Sequence, residues 1–289
     1  MRLISLLVLL PAILAVFRAN ALPAQDLPAQ GAREQDPREI VRRATEADRR
    51  NAEVARNYTF IQHQEQRQTD SSGKVKSVES ETWDVTLEEG SPYRRLVARN
   101  DQPLAAKEQK KEEEKLRASN EQRRKETKEQ RDQRVADWER RQKQRREPLT
   151  ELPDAFNFTL VKEEALNGGQ AYVIDATPRP GYRPRLPSAS YFPKVKARLW
   201  IDKNDYRWIK AEVESLDTVS FGGIVFRMAK GSKLVLEQER VNNEVWLPKL
   251  VSFRGAFRIL LVKGYRGEFN ITFSGYKKFS AESRVISPQ

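Results

Sequence analysis

A chain of 289 residues that is 38% hydrophobic and 33% charged has room for one large domain or two small ones. It holds no cysteine and one histidine, His63, which excludes disulfide scaffolds and zinc sites of the usual nitrogen and sulfur type. Its net charge of +12 favours anionic partners such as lipid headgroups or acidic polymers.

In chain order, Arg2, the apolar run Leu3–Phe17 and the small-x-small site Ala19-Asn20-Ala21 read as a cleaved export signal over residues 1–21. Export places the mature chain in the periplasm or outside the cell and argues against nucleic acid as its partner. No cysteine follows the cleavage site to carry a lipid anchor. Residues 22–35 read as a flexible leader. Asp36-Pro37-Arg38-Glu39 then opens an amphipathic helix, with Asp36 as cap, Pro37 in the first turn and Ile40, Ala44, Ala47, Val54 and Ala55 on one face.

At Asn57 the hydrophobic period changes to two. Strands are expected from Tyr58, over 74–87 after the turn Ser71-Ser72-Gly73, and over 92–99. Residues 104–147 form a different segment, with 16 basic and 11 acidic side chains and repeated i,i+4 pairs. This is a helical insertion, either one rod or a hairpin broken near Ser119-Asn120. It is either a solvated element without chemistry or a basic arm that touches a membrane or an envelope protein.

After Pro153 the alternation returns, with strands near 156–160, 171–174, 195–201, 209–213, 219–228, 232–241, 245–253, 256–263 and 269–273. Between them, the loop Thr177–Pro193 holds five prolines with Arg179, Arg183 and Arg185 among them. It reads either as a stiff surface connection or as a basic lid that contacts an anionic surface. Runs of strands with segregated helices define an α+β chain whose antiparallel sheet curls into an incomplete barrel, with the first helix over its concave face.

Chemistry is searched for with little return. His63 has no Gly-x-Ser-x-Gly partner motif, and no dinucleotide or P-loop glycine pattern occurs. The chain is read as non-enzymatic, with no catalytic residue, no cofactor and no metal. Its aromatic and aliphatic supply either packs a core or lines a cavity under the helices. The candidate lining residues are Phe60, Trp83, Leu199, Ile201, Ile209, Val213, Phe226, Trp246, Phe253, Phe269 and Phe273.

Two segments carry a family likeness. Leu199-Trp200-Ile201-Asp202-Lys203-Asn204-Asp205-Tyr206-Arg207-Trp208-Ile209-Lys210 is similar to the strand–turn–strand of the periplasmic lipoprotein-carrier superfamily (LolA/LolB-like), and Glu244-Val245-Trp246-Leu247-Pro248-Lys249 resembles its later Trp-Leu-Pro strand. The resemblance implies an outer-membrane lipoprotein-sorting type of fold over residues 36–280, with a tail at 281–289. It also implies a ligand of lipid or lipoprotein acyl chains held in a half-barrel, with the protein acting as carrier or sensor. The charged insertion is longer and more polar than the helices that plug such barrels, and its few apolar residues make a poor lid. An envelope interaction scaffold with a filled sheet core is the alternative.

Overall fold

The computed structural model describes residues 36–166, 168–221, 226–259 and 263–279. The expected signal, leader and tail lie outside the described residues. Helix α1 spans Pro37–Ala55, and the Asp36 carboxylate accepts from the Arg38 backbone N–H at 2.9 Å. Its stripe of Ile40, Val41, Ala44, Ala47 and Ala52 is buried.

Strands β1 (Tyr58–Thr69), β2 (Val75–Glu88), β3 (Ser91–Arg99) and the short β4 (Gln102–Pro103) follow as a meander. The insertion is a hairpin of α2 (Ala106–Arg124) and α3 (Lys128–Arg146). The break falls at Lys125–Thr127 rather than near Ser119-Asn120. The reason is a capping box, in which the Thr127 hydroxyl accepts from the Gln130 N–H and the Gln130 side chain accepts from the Thr127 N–H. A short turn of helix, α4 (Leu152–Ala155), leads into β5 (Phe156–Leu166), β6 (Gly169–Pro178), β7 (Val195–Asp202) and β8 (Trp208–Ser215). Two short strands, β9 (Val219–Phe221) and β10 (Phe226–Met228), precede β11 (Lys233–Val241), β12 (Val245–Ile259) and β13 (Lys263–Lys278). The expected separate strands at 245–253 and 256–263 are largely one strand, β12. Gly255 lets it pass close to Ser232, where a Cβ would sit 2.3 Å from the Ser232 hydroxyl oxygen.

All pairings are antiparallel, in the order β4-β3-β2-β1-β13-β12-β11-β8-β7-β6-β5, with β10 and β9 attached beside β12. The path ends at β4 on one side and β5 on the other, so the sheet is an incomplete barrel, as expected. One inward row of directly opposed residues crosses most of the sheet: Ile174, Leu199, Ala211, Leu236, Val251, Ile271, then Gln64, Glu81 and Arg99. In the adjacent outward row Asp175, Arg198 and Glu212 are polar, as are Ser252 and Asn270 beyond Val235. Helix α1 packs its stripe with Phe156, Tyr172, Ile174 and Ile201, which covers the β5–β7 end of the concave face.

Candidate functional site

Helix α1 crosses the sheet over β5–β7 and at the start of β12, and a space of about 1040 Å³ remains between the rest of the concave face and the helices. Its floor is Leu199, Ala211, Val213, Leu234, Leu236 and Val251, with Ile271 and Phe273 continuing it on β13. Phe60 closes one side, its ring 5.6 Å from that of Phe273 and 5.8 Å from that of Tyr276. The roof is the C-terminal half of α1, from Asp48 to Arg56, together with α3, which contributes Ala136, Trp138 and Arg146. An ion pair of 3.0 Å between Arg56 and Glu139 joins the two roof helices. The charged insertion therefore does form part of the lid. It does so with the stems of long side chains rather than with an apolar stripe. Helix α2 has no buried residue and stands outside the cavity. The hairpin is held to the β2–β3 turn by Arg123, which donates to the Glu88 carbonyl at 2.7 Å, and by Arg134, which donates to the Ser91 hydroxyl at 2.6 Å.

The sequence candidates divide by surroundings. Phe60, Leu199, Ile209, Val213 and Phe273 line the cavity. Ile201 faces inward but is sealed beneath α1. Phe253 and Phe269 oppose each other across β12 and β13, and with Phe257 and Tyr265 they fill the far end of the concave face. Trp246 packs with Trp200, Val173 and Ala171 on the opposite face of the sheet, and its indole N–H donates to Asp205 at 3.0 Å. Trp83 faces inward opposite Gln62 and lies beneath the Arg94 guanidinium, 4.7 Å from its ring centroid. Phe226 falls in β10, off the main strand path.

In the proline-rich loop, Glu151 is buried and accepts from the Arg185 and Leu186 backbone N–H groups at 3.0 and 2.8 Å and from the Tyr182 hydroxyl. Arg179, Arg183 and Arg185 are all exposed, and the Arg185 side chain meets Asp154 at 3.3 Å. His63 is a strand residue whose Nδ1 lies 3.0 Å from the Thr82 hydroxyl.

Sequence reading missed the polar side chains of the cavity: Asp48, Gln62, Gln64, Arg94 and Arg146. The alternation Gln62, Gln64, Gln66, Gln68 in β1 was the available signal, since it gives that strand a polar face of unbroken period two. Burial pushes the Asp48 carboxyl up to about 6, against the opposing pull of Arg146 and Arg207. Burial likewise holds Arg146 down to about 10, with Asp48 opposing, and lowers Arg94. Among the described residues no cluster of His, Cys, Asp and Glu could hold a metal ion. No described helix is long and apolar enough to cross a membrane.

The fold and site together define a half-barrel: an open, curled antiparallel sheet roofed by helices over a largely apolar hollow. No family model matches the chain, and no curated protein matches it. Among solved structures it is similar to a putative outer membrane lipoprotein-sorting protein domain from Vibrio parahaemolyticus, with 9% identity, 84% of this chain and 95% of that one covered, and a TM-score of 0.36. It is also similar to a LolA superfamily protein from Nitrosomonas europaea (12% identity, 88% and 98% covered, TM-score 0.29). A third is a DUF1329 family protein from Desulfovibrio piger (12% identity, 86% and 96% covered, TM-score 0.30).

Proposed function

We propose that residues 36–280 act as one exported, non-enzymatic domain that binds a lipid or lipoprotein acyl chain in the half-barrel, as carrier or sensor. The supporting observation is the cavity of about 1040 Å³, floored by Leu199, Ala211, Val213, Leu236 and Val251. Each methylene that leaves water for such a wall contributes about 0.8 kcal/mol. The exposed Arg179 and Arg183 would bring the domain to an anionic membrane surface. Titration of the purified mature protein with a fluorescent fatty acid, and competition by unlabelled lipid, tests this reading. Saturable, competable binding is expected, and its absence overturns the proposal.

A second reading is favoured by α2, which buries no residue although it is a 19-residue helix. A helix polar on all sides is suited to a partner surface rather than to a core. In that reading the insertion is the working surface for an envelope protein. Cross-links from a partner should then map to α2, and shortening the hairpin should remove them while the fold persists.

A further inference from the structure

The inner face of the sheet changes character along its length. The inward row is apolar from Ile174 on β6 to Ile271 on β13, then becomes Gln64, Glu81 and Arg99 on β1, β2 and β3. The neighbouring row repeats the pattern: Ala176, Ala197, Val213, Leu234, Phe253 and Phe269 give way to Gln66 and Glu79. Of these polar residues Gln64 borders the cavity, together with Gln62, Val85 and Arg94 of the same end. A buried donor without an acceptor costs free energy, and a wholly apolar ligand supplies none.

One arginine brings positive charge to this end. Arg94 projects inward from β3, opposite Val85, with the Trp83 ring against its guanidinium plane. Its buried Nε and Nη2 find no hydrogen-bond acceptor among the described residues. These two N–H groups form one edge of the guanidinium, and that edge can meet two oxygens of a carboxylate or phosphate side by side. Glu81 attracts Arg94 through space, but its ion pair is with Arg99 at 3.6 Å. Arg94 lines the same cavity as the apolar floor, beside Gln62 and Gln64.

We infer that Arg94 forms an anion-recognising pole of the cavity, and that its ligand is an amphiphile whose carboxylate or phosphate head meets this guanidinium edge while its chain lies on the apolar floor. The inference rests on the reading of the cavity as a chain-binding pocket and narrows the ligand class to anionic lipids.

The test uses N-phenyl-1-naphthylamine, a neutral probe that fluoresces in apolar pockets, displaced by lauric acid, dodecyl phosphate or 1-dodecanol. The three share a chain and differ in the head, so the carboxylate and phosphate arms separate the two sources of charge. At least one anion is expected to displace the probe about tenfold more effectively than the alcohol, as charge-assisted hydrogen bonds in a dry site require. Arg94→Gln should weaken the anion about tenfold and the alcohol much less. Equal displacement by all three in the wild-type chain overturns the inference and leaves the chain-binding reading standing. So does a preference that persists in the folded variant. A probe that does not bind saturably overturns both. The wild-type comparison needs no variant, so a substitution that fails to fold does not blunt the test.

Discussion

The side chain of Asn51 on α1 is paired with both backbone polar groups of Trp246 on β12: its Oδ1 accepts from the Trp246 N–H at 2.8 Å, and its Nδ2 donates to the Trp246 carbonyl at 2.6 Å. The register of β12 with β13 starts only at Leu250↔Thr272, so the amide does locally what a neighbouring strand does elsewhere. It also fixes where the roof helix crosses the sheet, and so how much of the concave face is left uncovered. Asn51→Leu leaves a buried donor and acceptor unmade and is expected to cost about 3 kcal/mol, read from the urea midpoint at constant slope.

Gly267 on β13 faces Gly255 on β12 and passes so close to β1 that an added Cβ would lie 1.9 Å from the Arg67 carbonyl oxygen. Only a glycine fits, because the obstacle is backbone and cannot rotate away. Gly267→Ala should destabilise the fold by about 2 kcal/mol or more, visible as a fall of several degrees in the thermal midpoint. An unchanged midpoint would mean that β1 and β13 can separate at this point without penalty.

Asp48 couples stability to pH. Its folded pKa of about 6 lies above the ordinary aspartate value of 3.8, so between these values the folded state holds the proton and the unfolded state has released it. Stability therefore falls as pH rises through this window, and the cost is fully present above the folded value. Asp48→Asn removes the ionisation. It should raise stability by about 1–3 kcal/mol at pH 8 relative to wild type, with the gain shrinking towards pH 4. Denaturant titrations at pH 4, 6 and 8 check both the sign and the window.

Ala211 occupies the middle of the cavity floor, between Leu199 and Leu236. Ala211→Phe should fill part of the hollow and lower fluorescent fatty-acid affinity about tenfold, since a chain then loses roughly two methylenes of contact. The thermal midpoint should hold, because the new ring enters open space. Undiminished affinity would place the chain elsewhere.

The basic loop makes a more selective prediction. Arg179, Arg183 and Arg185 are all exposed, but Arg185 is matched by Asp154 at 3.3 Å. Each uncompensated arginine near an anionic bilayer is worth about 1 kcal/mol. Arg179→Gln and Arg183→Gln, made singly, should each weaken sedimentation with anionic vesicles by about fivefold at low salt, and Arg185→Gln should do so less. Equal effects from all three would show that the ion pair leaves Arg185 free to act.

Much of this architecture was legible residue by residue. Asp36 and Pro37 start α1 because a free carboxylate and a residue without an N–H suit a helix's first turn. The alternation of Val195, Ala197, Leu199 and Ile201 assigns the inner face of β7, and the i,i+4 charge pairs of 106–146 mark helix. These are properties of neighbours in sequence, governed by periods of two and 3.6.

What only the tertiary structure decided is the fate of each inward side chain. Leu199 and Ile201 share a face of one strand, yet the first borders a hollow and the second lies sealed under α1. Phe273 lines the cavity, while Phe269, four residues earlier on the same strand, is packed against Phe253. Likewise Arg94, rather than its neighbour Arg95, points inward because β3 pairs Arg94 with Val85. Alternation selects a face, but whether that face meets a helix, an aromatic cluster or open space depends on where distant segments cross it. That is set by long-range packing, which no local period encodes.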